Sequence, residues 1–233
     1  MRESDNIKAV DTLGIDLMGF IFVPQSPRYV SMVSSMAGII PDYAADSQPT
    51  VTAQAPSSED TTRQHVAARV GVFADDMPQN IVTRIYNYHL GYVQLHGSES
   101  PTMISNLKRT VVPDIAPELK IIKTIAVAKA DDFKQCEPYE GEVDLFLFDT
   151  KLNRDGGATS GGSGKKFDWS LLDHYHGHTP FLLSGGIGPD DAEAILAIRH
   201  PQFAGIDLNS RFETAPGVKD VEKLRSFISK IRQ

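Results

Sequence analysis

Cysteine is almost absent from this 233-residue chain: Cys136 stands alone, so no disulfide can form within it, which fits a reducing compartment. No apolar run approaches the roughly 20 residues that span a bilayer, and the amino terminus lacks the basic-then-apolar layout of a signal peptide. The expected location is the cytoplasm, with no membrane partner. Positive charge is not in excess either. The formal net charge of −7 argues against gripping nucleic acid by bulk electrostatics, while leaving room for a local cradle of cations or backbone amides around a small anion.

What is present alternates. Seven short apolar runs rich in β-branched and aromatic residues recur: LMGFIFV from Leu17, ARVGVFA from Ala68, GYVQLHG from Gly91, KIIKTIAV from Lys120, VDLFLFDT from Val143, TPFLLSGG from Thr179 and FAGIDLNS from Phe203. Several are nearly continuous in apolar character, as strands covered on both faces are. Segments of helical period lie between them. Pro78 opens one ahead of Ile81, Val82 and Ile85; Asp131 precedes Phe133 in another; Pro189 opens a third with Ala192, Ile195 and Leu196 on one face. A last helix from Asp220 aligns Val221, Leu224, Phe227, Ile228 and Ile231. At the start, Ser4 or Asp5 serves as N-cap for a helix carrying Ile7, Val10 and Leu13, stopped by Gly14. The pattern predicts one domain over residues 1–233 with a parallel sheet and a helix after each strand. Residues 41–64, with three prolines and no Leu, Ile, Phe, Met or Trp, read as a flexible surface insertion within it.

In parallel α/β folds ligands lie at the carboxyl ends of the strands. The LSGGIGPDD segment places Gly185 and Gly186 just before a helix, where backbone N–H groups and a positive helix end suit a phosphate, and DLNSRFE adds Asn209 and Ser210 as donors on the next strand. Asp149 closes an apolar strand, and an unpartnered buried charge would be costly, which places it at the open mouth. Beyond it lies a loop with five glycines between Gly156 and Gly164, including Gly161, Gly162 and Gly164, of the sort that closes over a ligand. Arg28, on the backbone stiffened by the two prolines of FVPQSPRYV, suits a carboxylate ligand. His174, His176 and His178 precede a strand and so fall at the opposite face; no metal is expected there. Cys136, in DDFKQCEPY, reads as a packing residue on an outer helix.

In order and over nearly the whole chain, GFIFVPQSPRYV, VGVF, VQLHG, LFDT followed by GGSGKKFDW, LLSGGIGPDDA and GIDLNSRFETAPGVKD resemble the phosphoribosylanthranilate isomerase family. The resemblance implies a (βα)8 TIM barrel of the phosphate-binding type that converts N-(5′-phosphoribosyl)anthranilate by an Amadori rearrangement, a step of tryptophan biosynthesis, without cofactor or metal. It implies that Asp149 is the general acid, that Arg28 holds the anthranilate end, that Asp207 and His96 lie near the sugar, and that Gly185, Gly186, Asn209 and Ser210 hold the phosphate. The family's general base is a cysteine in a Lys-x-Cys-Gly motif ending the first strand.

That motif is not in this sequence: Met1 stands at the variable residue that follows it, so the first strand and the general base would lie upstream of Met1. The expectation is a seven-strand barrel of impaired activity, in which the exposed edges of the Leu17 and Phe203 strands pair with each other or with another chain, as monomer or homodimer. Two alternatives remain. One is a non-catalytic phosphosugar-binding barrel; the other is a related lyase such as indole-glycerol-phosphate synthase, which would need a strand-end lysine where this chain has mid-strand Lys123.

Overall fold

A computed structural model describes residues 1–30, 66–150 and 166–232. The expected insertion at 41–64 and the glycine loop carrying Gly161, Gly162 and Gly164 lie outside the described residues.

The chain opens with α1 (Ser4–Asp11) and β1 (Leu17–Ile21), then β2 (Ala68–Phe73), α2 (Pro78–Tyr88), β3 (Tyr92–Leu95), α3 (Pro101–Val111) and β4 (Lys120–Val127). A ten-residue 3₁₀ helix, Ala130–Tyr139, leads to β5 (Leu145–Thr150), and a second, Trp169–His174, leads to β6 (Phe181–Leu183). A 3₁₀ turn at Pro189–Asp191 and α4 (Ala192–Leu196) precede β7 (Phe203–Ile206); the hairpin β8 (Glu213–Ala215) and β9 (Val218–Lys219) and then α5 (Val221–Ile231) complete the chain. All seven expected strands form, and each pairs in parallel with the next, in the order β1 to β7.

Local chemistry explains most boundaries. Pro78 and Pro101 occupy first-turn positions where their missing N–H costs nothing, and the Ser100 hydroxyl accepts from the Met103 N–H at 3.2 Å. Asp220 caps α5 by accepting from the Lys223 N–H at 3.0 Å. Gly14, at φ +67°, turns the chain out of α1 in a conformation that suits glycine.

Some expectations fail. Neither Ser4 nor Asp5 caps α1; Glu3 holds the extended cap position without a side-chain bond. The helix start is fixed instead by Asn6, which exchanges two hydrogen bonds with the Lys219 backbone at 2.8 and 2.7 Å. The Cys136 segment is a 3₁₀ rather than an α-helix, and it contains Pro138, which cannot donate to an α-helical ladder. After Pro189 the α-helix is only five residues long, and Leu196 is exposed while Ala192 and Ile195 are buried.

The expected pairing of the two outer strands with each other also fails. Among the described residues, β1 and β7 end the sheet without forming a ladder. The outward carbonyls of β1 are taken locally: Gly19 O accepts from the Met1 amine at 2.6 Å, and Ile21 O accepts from the Val30 N–H at 2.8 Å. On the other side, β7 meets β6 through an irregular register at Gly205.

Side chains alternate across the sheet. One set, including Phe20, Phe73, Leu95, Ile125, Phe146, Phe148, Phe181 and Leu183, packs with the helices in the main core. The other forms a smaller inner cluster, with Val70, Ile122 and Leu147 packed against Leu17, Tyr92, Leu145 and Leu182. The second set marks the barrel interior.

Candidate active site

The period of two that carries Tyr92, Ile122, Leu145 and Leu182 into the interior also places Gln94, His96, Thr124, Asp149 and Ser184 on that face, nearer the carboxyl ends. Gln94 and Thr124 are joined across β3 and β4 at 3.1 Å. Asp149, at the penultimate residue of β5, accepts from the Thr150 N–H at 2.8 Å. Burial pushes its carboxyl above the usual carboxylate range; the His96 charge and the Thr150 N–H oppose the rise, and the Asp207 carboxylate adds to it. A carboxyl that keeps its proton further up the pH scale, next to an imidazole, is suited to protonating a ligand oxygen.

Across the mouth, β6 is followed by Ser184, whose hydroxyl donates to Asp207 Oδ2 at 2.9 Å, while the Asp207 N–H donates to Leu183 O at 2.8 Å. Gly185 and Gly186 follow with φ of +88° and +70°. A Cβ on Gly185 would fall 2.3 Å from Thr150 Oγ1 and 2.8 Å from Asp149 Oδ1, so only glycine lets this loop lie against the end of β5. The sequence therefore placed Asp149, His96, Asp207 and the glycine pair around one opening. The expected helix contribution to anion binding is weaker. α4 is short, it is preceded by a 3₁₀ turn, and the Gly188 N–H is already engaged by Asp191 Oδ2 at 2.6 Å. Asn209 Oδ1 accepts from Lys219 Nζ at 2.9 Å, and Ser210 starts a 3₁₀ turn.

Arg28 lies on the same side, but its guanidinium is engaged. Nε reaches both oxygens of Glu213 at 2.9 Å and Nη2 reaches Oε2 at 2.7 Å, in a pair whose side chains are 9% and 5% exposed. Lys219 Nζ completes the cluster, donating to Leu208 O at 3.0 Å and approaching Glu213 Oε1 at 3.4 Å. Burial pushes the Glu213 carboxyl up, but the Arg28 hydrogen bonds and the charges of Lys219 and Arg28 outweigh it, leaving the group below its ordinary range. Burial lowers the Lys219 ammonium, opposed by Glu213 and Asp207.

His176 and His178 line a cavity of about 430 Å³ with Asp173, Arg199 and His200, next to the start of β6 and away from the strand ends. Cys136 is buried against the outer layer, and burial with the nearby Glu140 and Glu137 pushes its thiol up to about 12.

Sequence reasoning missed Glu213 and Lys219, which lie within the FETAPGVKD segment quoted only for the family resemblance. It also passed over Glu99, and it weighed Lys123 only as an acid. A lysine within KIIKTIAV was the available signal, since a charge in a strand otherwise fit for burial requires a partner.

An inward-facing carboxyl at the carboxyl end of a parallel α/β sheet, with a glycine pair on the neighbouring loop, is the arrangement expected of a TIM-type barrel enzyme. The family model described as N-(5'phosphoribosyl)anthranilate (PRA) isomerase matches residues 29–230. The chain is 43% identical over 231 residues to the N-(5'-phosphoribosyl)anthranilate isomerase of Parabacteroides distasonis, covering 99% of this chain and 90% of that one. The phosphoribosyl anthranilate isomerase structure from Thermotoga maritima shares its fold with a TM-score of 0.71 and 28% identity, over 100% of this chain and 95% of that chain. Another isomerase of known structure, solved in complex with reduced 1-(o-carboxyphenylamino)-1-deoxyribulose 5-phosphate, shares the fold with a TM-score of 0.67 at 24% identity, over 100% and 95% of the two chains. This chain belongs to the phosphoribosylanthranilate isomerase family, and its sheet is that of a TIM-type barrel.

Proposed function

We propose that this protein isomerises N-(5′-phosphoribosyl)anthranilate to 1-(2-carboxyphenylamino)-1-deoxyribulose 5-phosphate in tryptophan biosynthesis. The observation that carries the reading is Asp149: an inward carboxyl at a strand end, pushed above the usual carboxylate range by burial, with His96 and Asp207 facing it. In this reading Asp149 gives its proton to the ribose ring oxygen, the ring opens to an iminium, and loss of the proton from C2′ yields the enol that tautomerises to the ketose. The sugar phosphate lies against Gly185 and Gly186, with Asn209 and Ser210 beyond. Arg28 serves the anthranilate carboxylate from its Nη1 side while Glu213 keeps the opposite edge of the guanidinium in place.

The family resemblance gives proton removal to a cysteine in a Lys-x-Cys-Gly motif that the 233 residues do not contain. Cys136 does not replace it, being buried in the outer layer with its thiol far from the thiolate range. Lys123 faces the helices and not the interior, which disfavours the lyase alternative. The chain is read as one barrel domain in the cytoplasm that takes a small phosphosugar, and its net charge of −7 disfavours a nucleic-acid partner.

The test follows the loss of substrate fluorescence, using the 233-residue chain and the same chain preceded by a strand ending in Lys-x-Cys-Gly. Turnover that rises with the added strand and falls on Asp149→Asn is the expected result. Tight binding of the product without turnover by either chain would instead favour a phosphosugar-binding protein, and turnover insensitive to Asp149→Asn would remove the assigned acid.

A further inference from the structure

Lys123 interrupts β4 yet is only 2% exposed. By alternation it lies on the helix-facing side with Ile121 and Ile125, behind the surface that carries His96 and Asp149. Its ammonium donates to Gly97 O at 2.6 Å, Leu95 O at 3.2 Å and Glu99 Oε2 at 3.2 Å. The two carbonyls belong to the residues on either side of His96. The second Glu99 oxygen accepts from the Gly97 N–H at 3.2 Å and the Asp75 N–H at 2.8 Å.

The clamp continues into the loop after β2. Asp75 adopts φ +50°, and its Oδ1 accepts from the N–H and hydroxyl of Ser98, both at 2.7 Å. A Cβ on Gly97 would lie 2.6 Å from Asp75 Cγ, so the two loops meet at a spacing that glycine alone permits. The His96 N–H donates to Phe73 O at 2.8 Å. Every peptide unit around His96 is therefore held from behind, while its imidazole is left to the interior. A buried ion pair is a poor source of stability, since apolar side chains of like volume often serve as well or better. Its placement against the His96 loop gives it another role.

We propose that Lys123 and Glu99 are positioning residues, which hold the backbone on both sides of His96 so that the imidazole stays set against Asp149. The proposal rests on the assignment of Asp149 and His96 as the acid and its partner. Facing Asp149 are His96 from the β3 end and Asp207 from the β7 end; Lys123 and Glu99 lie on the other side of the sheet. The double variant Lys123→Met/Glu99→Gln removes one charge of each sign, so any change at Asp149 reports geometry and not net charge.

The experiment is a carboxyl-carbon NMR titration of Asp149 in the full chain, with its resonance assigned by loss in Asp149→Asn. His96→Asn removes the positive charge that opposes burial, so the Asp149 midpoint moves up; the double variant is expected to move it the same way. Glu99→Asp keeps the ion pair while drawing the carboxylate back by one methylene, and it is expected to give a smaller upward shift even if the double variant does not fold. A folded double variant, or a folded Glu99→Asp, with the midpoint of the unaltered chain overturns the positioning role while His96→Asn still shifts it. If His96→Asn itself leaves the midpoint in place, the acid–imidazole assignment fails and the positioning role falls with it.

Discussion

Replacing Glu213 with Gln should cost far more stability than a surface substitution, and the cost should depend on pH. The carboxylate receives Nε and Nη2 of Arg28 at 2.7 to 2.9 Å and approaches Lys219 Nζ at 3.4 Å, with only 5% of its side chain exposed. Glu213→Gln keeps the shape but leaves two buried cations without their anion. Breaking a buried pair in this way costs about 3–5 kcal/mol, a large part of the roughly 5–15 kcal/mol that holds a domain together. For a domain of this size each kcal/mol moves Tm by about 2–4 °C, giving a fall of about 6–20 °C. Because the folded carboxyl sits below its ordinary range, its contribution is present above the unfolded value and is lost as pH falls through the lowered folded value. Urea melts of both proteins at neutral pH and at acid pH should therefore show a gap that narrows in acid. A neutral-pH loss under about 1 kcal/mol, the range of exposed pairs, or a gap of constant size at all pH, would refute the reasoning.

Asp149→Asn should have the opposite sign in stability. Burial raises the carboxyl, so its favourable contribution is full below the unfolded value and lost as pH rises through the folded one. The Asn variant is expected to be the more stable at neutral pH and to converge with the parent in acid melts, while turnover falls about 10²–10⁴-fold; lower stability at neutral pH would contradict the burial argument. Gly185→Ala forces a side chain into a φ of +88° and onto Thr150, with a cost of about 1–3 kcal/mol. Calorimetry with inorganic phosphate should show weakened binding, and an unchanged affinity would move the phosphate site elsewhere. Cys136, with its thiol up to about 12, should react with iodoacetamide at neutral pH far more slowly than a free thiol, and Cys136→Ala should leave the kinetics alone; rapid labelling of the folded protein would show the thiol to be accessible.

The strands were legible because each is a dense run of β-branched and aromatic residues between turn signals, and KIIKTIAV has the same limits in the sequence and in the structure. The helices were less so. Ala192 and Ile195 repeat with helical period, but a five-residue helix preceded by a 3₁₀ turn contains too little repeat to fix its length. Asp149, Gly185 and Gly186 could be found because position along a parallel strand fixes which end of the barrel a residue occupies. The partners of Arg28 could not: Glu213 lies 185 residues away, and no local pattern encodes a contact made by folding. The β1 edge was misjudged for a related reason, since the groups that occupy it, Met1 and Val30, lie outside any strand.

The sequential order of the strands has a kinetic consequence. Among the described residues every ladder of the seven-stranded sheet joins strands consecutive in sequence, so the sheet can grow outward by adding one strand at a time. The β4–β5 ladder is the longest, with six paired positions, and Phe133, Phe148, Phe181 and Tyr175 pack edge-on or tilted beside β5 and β6 with ring centres 4.7 to 6.0 Å apart. The centre of the sheet is therefore the expected nucleus, with β1 and β7 expected to join last. Amide hydrogens on β4 and β5 should then exchange with solvent most slowly, and the mouth residues carried by the outer strands, Asp207 among them, belong to the part of the molecule that opens first.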